Sequence, residues 1–448
     1  MNAVFLARLQ FGLTAGFHFL FPPTTLGLSL IVLIVEALYL RTRDEAYKRL
    51  SIFLVRILGT VFVMGVATGI ALEFAFGNNW AAYSRTVGDI FGAPLAAEAV
   101  FSFFLESVFL GILVFGRNRV SEKTYATSAF LVFLGSHLSG LWILIANSWM
   151  QTPAGFRLEG GRAVMEDFWQ AAFNPSTVIR FVHTILGGWM TGGLVAMAVA
   201  AWLLLKGHAR DEAPARRLMT PALVVFAAAA VLQLGSGHAH SMQVWRTQPE
   251  KMAAYEAHWQ TMDGAPFTVF GIPDEKNERT LLAVRVPKML SMLTQLSPNG
   301  RVVGLDEFPK DERPPVFVPF AGYHLMILFG LIFIGLGLAG LWLFRRRKLL
   351  TSRRFLKLLI LAVPLPYLAN EAGWVAAEVG RQPWAVYKLL RTSEAVSGAV
   401  PAGNVLFSLI AFTAIYALIA AAGLTVILKT VRGGPGQPLA QGPKGDRA

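Results

Sequence analysis

Apolar residues gather in nine runs along this chain, at about 11–40, 52–76, 95–115, 126–150, 177–205, 221–240, 319–344, 355–379 and 404–428. A helix needs roughly 20 apolar residues to cross the hydrocarbon core of a bilayer. The pattern therefore predicts an all-α integral membrane protein with nine transmembrane helices, here spans one to nine. Span one is longer than a bilayer requires and is expected to tilt or to begin with an interfacial turn. Connections are short except at 241–318, where Pro, Gly and mixed charge are interspersed with Trp245, Tyr255, Trp259, Phe267 and Phe270. So many aromatic residues in a long connection predict a folded, functional cap. The expected organisation is spans one to six (1–240), the cap (241–318), spans seven to nine (319–430) and a Gly/Pro-rich tail (431–448) without fixed structure.

Charge adds an orientation. Lys and Arg concentrate in the connections after spans one, three, five and seven, as in the run Arg345, Arg346, Arg347 and Lys348, and in the tail. By the positive-inside rule the N-terminus is outside and the C-terminus cytoplasmic. This asymmetry accounts for the net charge of +13 without a nucleic-acid partner. Charged residues make up 15% of the chain, against about 25% in soluble proteins. There is no cysteine, which excludes disulfides, thiolate haem ligation, cysteine-held iron–sulfur clusters and thiol catalysis. The opening MNAVFLARLQF lacks the pattern of a cleaved leader, so the first run is expected to serve as an uncleaved insertion signal.

Polar residues interrupt the runs at one depth. His18, Glu98, His183 and Met326 come early in odd-numbered spans; Glu73, Asn147, His238, His240 and Glu371 come late in even-numbered ones. With the N-terminus outside, all fall in the outer half of the membrane. Ionisable groups are costly there and mark ion routes, cofactors or substrates. A mixture of imidazole, carboxylate and thioether suits haem iron. A His and a Met on separate helices form a six-coordinate low-spin pair, and His18, Glu98 and Glu371 offer donors for iron with an open position for O₂. Glu106, eight residues beyond Glu98, lies about 80° round an ideal helix and about 12 Å deeper, which suits a proton relay. Glu371, Trp374 and Glu378 share a stripe of span eight. His208 and His258 are expected to be solvated; His137 either hydrogen-bonds within the bundle or lines a proton path. Buried acids and histidines also fit an alternative, a proton- or cation-coupled transporter.

Several segments carry a family resemblance: RLQFGLTAGFHFLFPPTTLG (8–27), GVATGIALEFAFGNNW (65–80), VGDIFGAPLAAEAVFSFFLES (87–107), LWILIANSWMQ (141–151), FVHTILGGWMTG (181–192), FGIPDE (270–275) and PLPYLANEAGWVAAEVGRQPW (364–384). Over nearly its whole length the chain resembles subunit I of cytochrome bd-type quinol oxidases, in the branch with a short external quinol-binding loop, the Q-loop, a branch that includes cyanide-insensitive members. The resemblance implies a bacterial inner-membrane, haem-containing terminal oxidase that oxidises quinol and reduces O₂ to water, building proton motive force by charge separation without pumping. It implies two haem b groups, one low-spin and one high-spin, and a haem d or a third haem b. His183 and Met326 would ligate the low-spin haem. His18, Glu98 and Glu371 would serve the high-spin pair, with Trp374, Arg381 and Trp384 as further cofactor-binding residues. Glu98, Glu106 and Glu371 would take part in catalysis, Glu106 on the proton route. Lys251 and Glu256 would bind quinol. A second membrane subunit is implied, and a small single-helix subunit is compatible. His324 stands where some members carry Arg, and Tyr367 replaces a Trp.

Overall fold

A computed structural model of the chain describes residues 2–398 and 400–436. Among them, nine helical segments have the length and hydropathy of a membrane crossing: Ala3–Thr42, Glu45–Gly77, Ala81–Phe115, Glu122–Gln151, Thr177–Lys206, Ala209–Thr247, Phe317–Arg345, Arg353–Val379 and Ala402–Gly433. Every predicted run lies inside one of them. The tail is helical as far as Gly433; residues 437–448 lie outside the described residues.

The ends and breaks follow from local chemistry. Span one is two helices, Ala3–Phe19 and Phe21–Thr42, interrupted at Leu20. Pro22 and Pro23 lack an N–H and crowd the preceding turn, so the helix cannot run through unbroken. His18 consequently occupies the last turn before a break. Span eight is divided in the same way into Arg353–Leu361 and Pro364–Val379. Span three starts at Ala81, earlier than hydropathy alone suggests, because Tyr83, Val87, Ile90 and Phe91 recur at helical spacing and bury one face. Its middle, Glu98–Phe103, is a π-helical turn. Span six continues to Thr247, past the predicted end near 240, so the cap begins about two turns later than expected.

Spans one, two, five and six supply most of the core, with Leu28, Ile31, Leu54, Leu58, Leu194, Met197 and Phe226 essentially inaccessible. Spans one and five cross so closely that a Cβ on Gly27 would lie 2.3 Å from the Gly188 carbonyl oxygen. Only glycine permits that approach, the usual device for tight helix crossings in lipid. Spans three and nine present large apolar side chains outward, among them Phe101, Phe104, Phe407 and Leu418, as a face meeting lipid or another apolar surface does.

Residues between spans six and seven form the predicted cap. It holds a helix Pro249–Tyr255, an antiparallel pair Phe267–Asp274 with Arg279–Val286, and a helix Met289–Gln295. Met252, Tyr255, Leu290 and Val302 pack with Val244, Tyr323 and Ala376 of spans six, seven and eight. The cap thus shares a core with the bundle. Two smaller hairpins, Phe156–Glu159 with Arg162–Met165 and Trp384–Val386 with Leu390–Arg391, lie at this same end.

Candidate functional site

Candidate ligands lie where spans five to eight meet. On span five, His183 Nδ1 lies 3.1 Å from Ser236 Oγ, and its ring packs edge-to-face on His240 at 5.4 Å; both partners are on span six. The Gln233 amide lies 3.2 Å from His183 Nε2. One turn further along span five, a Cβ on Gly187 would lie 2.9 Å from Asn370 Oδ1. From span seven, Met326 reaches the same stretch: a Cβ on Gly373 would meet its Sδ at 2.6 Å. Asn370 and Gly373 are one turn apart, so Gly187, one turn beyond His183, and Met326 meet span eight at neighbouring levels from separate helices, while the His183 ring itself faces span six.

His18 and Glu371 both lie at span one, on different sides of it. His18 Nδ1 lies 2.9 Å from Thr68 Oγ1 on span two. Glu371 leans against span one, its Oε2 3.2 Å from where a Gly16 Cβ would be, while its Oε1 is buried without a hydrogen-bond partner. Tyr367, one turn before Glu371, makes a 2.8 Å hydrogen bond with Thr24 across the break in span one. Trp374 stands half-buried on the same helix.

Glu98 and Glu106 depart from the ideal-helix expectation. The π turn between them winds less per residue than an α-helix, and both acids face span four. Ser139 Oγ donates to Glu98 Oε1 at 2.7 Å. Gly135, one turn away on span four, is so close that a Cβ would lie 3.1 Å from the Cβ of Glu106. Glu106 is buried and its Oε1 lacks a partner. The acids therefore line one face at two depths, where an unbroken α-helix would set them about 80° apart. His137 hydrogen-bonds within the bundle: Nδ1 lies 2.7 Å from the Phe133 carbonyl, and Trp189 Nε1 donates to Nε2 at 2.9 Å.

A buried charge network joins the bundle to the cap. Glu378 Oε1 accepts from Asn147 and Gln151, at 3.0 and 3.2 Å, and lies 3.8 Å from Arg180; its Oε2 is 2.6 Å from Arg381. Arg180 donates to Asn147 Oδ1, and Lys251 donates to Gln151 Oε1 at 2.7 Å. Arg180, Arg381 and Lys251 thus surround one carboxylate. Removing one partner of a buried ion pair costs about 3–5 kcal/mol. Glu378→Gln is accordingly expected to lower the thermal-unfolding midpoint of the solubilised complex clearly, with Glu378→Asp intermediate; an unchanged midpoint for Gln would count against the network. Arg180 and Gln151 escaped the sequence reading, although a base one turn before His183 was a legible signal. Trp384 lies beyond the network, its backbone carbonyl 3.3 Å from Arg381 Nε and its ring under Arg391.

Lys251 and Glu256 are both 1% exposed, and they do not face one another. Lys251 points to span four. Glu256 Oε2 accepts the Thr268 N–H at 3.3 Å, and its Oε1 is buried without a partner. Burial pushes the Glu256 carboxyl up to about 8 and holds the Lys251 ammonium well below its ordinary value. Tyr255 and Tyr323 stack beside them at 4.8 Å. His258 is buried, contrary to expectation, with Nε2 3.3 Å from the Val302 carbonyl. His324 turns toward the cap, its nitrogens against the Phe320 and Thr268 carbonyls, and so pins the hairpin to span seven.

The family model for cytochrome bd terminal oxidase subunit I matches residues 6–435. The chain belongs to that family. It is 40% identical over 445 residues to cytochrome bd ubiquinol oxidase subunit 1 of Bacillus subtilis (strain 168), covering 97% of this chain and 94% of that protein. With cytochrome bd-II ubiquinol oxidase subunit 1 of Escherichia coli (strain K12) the identity is 35%, covering 97% of each. The solved structure of bd oxidase from Geobacillus thermodenitrificans superposes with a TM-score of 0.89 at 30% identity, covering 96% of this chain and 98% of that one. The chain is thus an oxidoreductase subunit, a multi-pass protein of the bacterial inner membrane with a subunit II as partner. The transporter alternative is set aside.

The family implies haem, and the residues present fit it. Among the described residues no group of three His, Asp or Glu could hold a bare metal ion. Donors standing singly suit iron whose ring supplies the equatorial ligands and which asks only axial ligands of the protein. His183 carries the oriented imidazole such a ligand needs, its Nδ1 engaged by Ser236. The partnerless Glu371 Oε1 is a further donor.

Proposed function

We propose that this subunit carries the quinol-oxidising and O₂-reducing chemistry of the oxidase, with its N-terminus outside and the cap on the external face as a quinol-binding loop. His183 and Met326 would hold a low-spin haem b. His18, Glu98 and Glu371 would hold or adjoin a high-spin haem b and a haem d or third haem b, with Trp374, Arg381 and Trp384 nearby. Bound there, haem supplies one-electron transfer and O₂ chemistry. The observation that most supports this reading is that Met326 and the turn of span five just after His183 meet one stretch of span eight from two other helices. The purified two-subunit complex should give haem bands in a reduced-minus-oxidised spectrum and consume O₂ with quinol; a colourless, quinol-inert complex would falsify it.

The chain's own residues handle protons at two faces. At the cap, Glu256 offers a buried carboxylate oxygen to the hydroxyl of a quinol, and the stacked Tyr255 and Tyr323 provide an aromatic wall. Toward the other face, Glu106 holds a proton one step below Glu98 and Ser139. Releasing quinol protons outside and drawing those for water from the cytoplasm separates charge without a pump.

Glu256 sets a pH dependence. A carboxyl must be ionised to accept a proton, and this one is neutral below about 8. Quinol-driven O₂ uptake should rise as external pH passes from 7 to 9 and level off above. Glu256→Gln should be slow and lack that inflection. An unchanged inflection in the variant would assign it to another group.

A further inference from the structure

At the bundle end opposite the cap, a cleft of about 510 Å³ is lined by Arg56, Arg210, Lys429, Thr430, Arg432 and Gly433. These residues come from three separate spans: two, six and nine. Arg56 is not a loop residue; it lies within the helix Glu45–Gly77. Simple anchoring at the membrane surface does not require a base there. The wall is held in place by Lys206 and Arg210, which donate to the carbonyls of Arg432 and Gly433 at 2.5 and 3.3 Å. Those bonds satisfy carbonyls that the end of span nine would otherwise leave open.

The four cations have little to neutralise them. Arg210 has one long contact, 3.7 Å, to Asp211. Among the described residues, Arg56, Lys429 and Arg432 have no carboxylate within ion-pair distance. Guanidinium and ammonium groups without carboxylate partners around one cleft call for an anion with several acceptor oxygens. Phosphate is the chemical match, because guanidinium forks pair with it bidentately.

Apolar rails leave the cleft along both flanking helices. On span two, Thr60 and Val63 follow Arg56 on the same face, and Val63 is 66% exposed. On span nine, Thr425 and Leu418 precede Lys429 on its face, and Leu418 is 70% exposed. A free phosphate would have no use for such rails, whereas acyl chains would lie along them. Basic pockets between transmembrane helices are known to take anionic headgroups. We infer that the cleft between spans two, six and nine binds the phosphate headgroup of an anionic membrane lipid, with its acyl chains against Val63 and Leu418.

The test is lipid titration of the delipidated whole oxidase complex, followed by native mass spectrometry, with phosphatidylglycerol, phosphatidylcholine and inorganic phosphate as separate probes. Wild type should bind phosphatidylglycerol more tightly than phosphatidylcholine. The double variant Arg56→Gln, Lys429→Gln should weaken phosphatidylglycerol by about fivefold for each cation removed, with haem spectrum and O₂ uptake unchanged. Arg56→Lys with Lys429→Arg should restore binding and guards against a folding defect. Equal phosphatidylglycerol affinity in the Gln variant and wild type overturns the site. Displacement of the lipid by inorganic phosphate of the same affinity overturns the lipid assignment.

Discussion

His183→Ala is expected to remove the low-spin haem band and to lower quinol-driven O₂ uptake by more than about 100-fold, beyond the 10–100-fold that follows loss of an outer partner of a metal ligand. The side chain is held by Ser236 on Nδ1 and flanked by His240, both on span six. Met326→Leu tests the second residue that would hold this haem. Leucine keeps the volume against Gly373 and removes the sulfur, so packing survives while ligation does not. The expected spectrum is a low-spin band lost or converted to high-spin, with the other haem signals kept. Ser236→Ala supplies the graded comparison, disturbing the imidazole's orientation and leaving ligation possible. An unchanged low-spin band in Met326→Leu would remove Met326 from the ligand set, and the partnerless Nε2 of His240 would become the next donor to test.

Hydropathy made the nine spans legible because each is long enough to declare itself without tertiary information. Its failures have local causes. It missed the first part of span three, where a half-polar helix is stabilised by burying Tyr83, Val87, Ile90 and Phe91, a packing effect that no window average records. It ended span six early because His238 and His240 lower the mean, although backbone hydrogen bonding continues to Thr247. Depth was readable for the polar residues, since position along a span gives height. Azimuth was not: the π turn after Glu98 cannot be seen in the residues, and it changes which helix the two acids face. Partners were least legible. Lys251 reads as a loop residue in sequence, yet it is buried against Gln151 and the Glu378 network. Its replacement by Ala is therefore expected to loosen the cap against the bundle as well as slow quinol turnover, where a purely external position would affect turnover alone.

Glu106→Gln is the second large effect expected, a slowing of O₂ reduction by about 100-fold or more, the lower range for loss of a proton-transferring group. Glu106 is buried with one oxygen unpartnered, and a carboxyl at such a site is costly unless it has a task. Glutamine keeps its size beside Gly135 and cannot titrate, so the low-spin spectrum and quinol binding should be unchanged while turnover falls. Glu98→Gln should behave differently, because Glu98 lies nearer the cap end and accepts from Ser139. There the high-spin spectrum should shift, and Ser139→Ala should shift it less in the same direction. His137 offers no bypass, since the Phe133 carbonyl and the Trp189 indole occupy both its ring nitrogens. Steady-state O₂ consumption, proton uptake and spectra of the variants in membranes separate the cases. Wild-type turnover with intact proton uptake in Glu106→Gln would make Glu106 a packing residue against span four. If Glu98→Gln then slowed turnover with its spectrum unaltered, the proton-bearing role would pass to Glu98 and its place among the haem ligands would be lost.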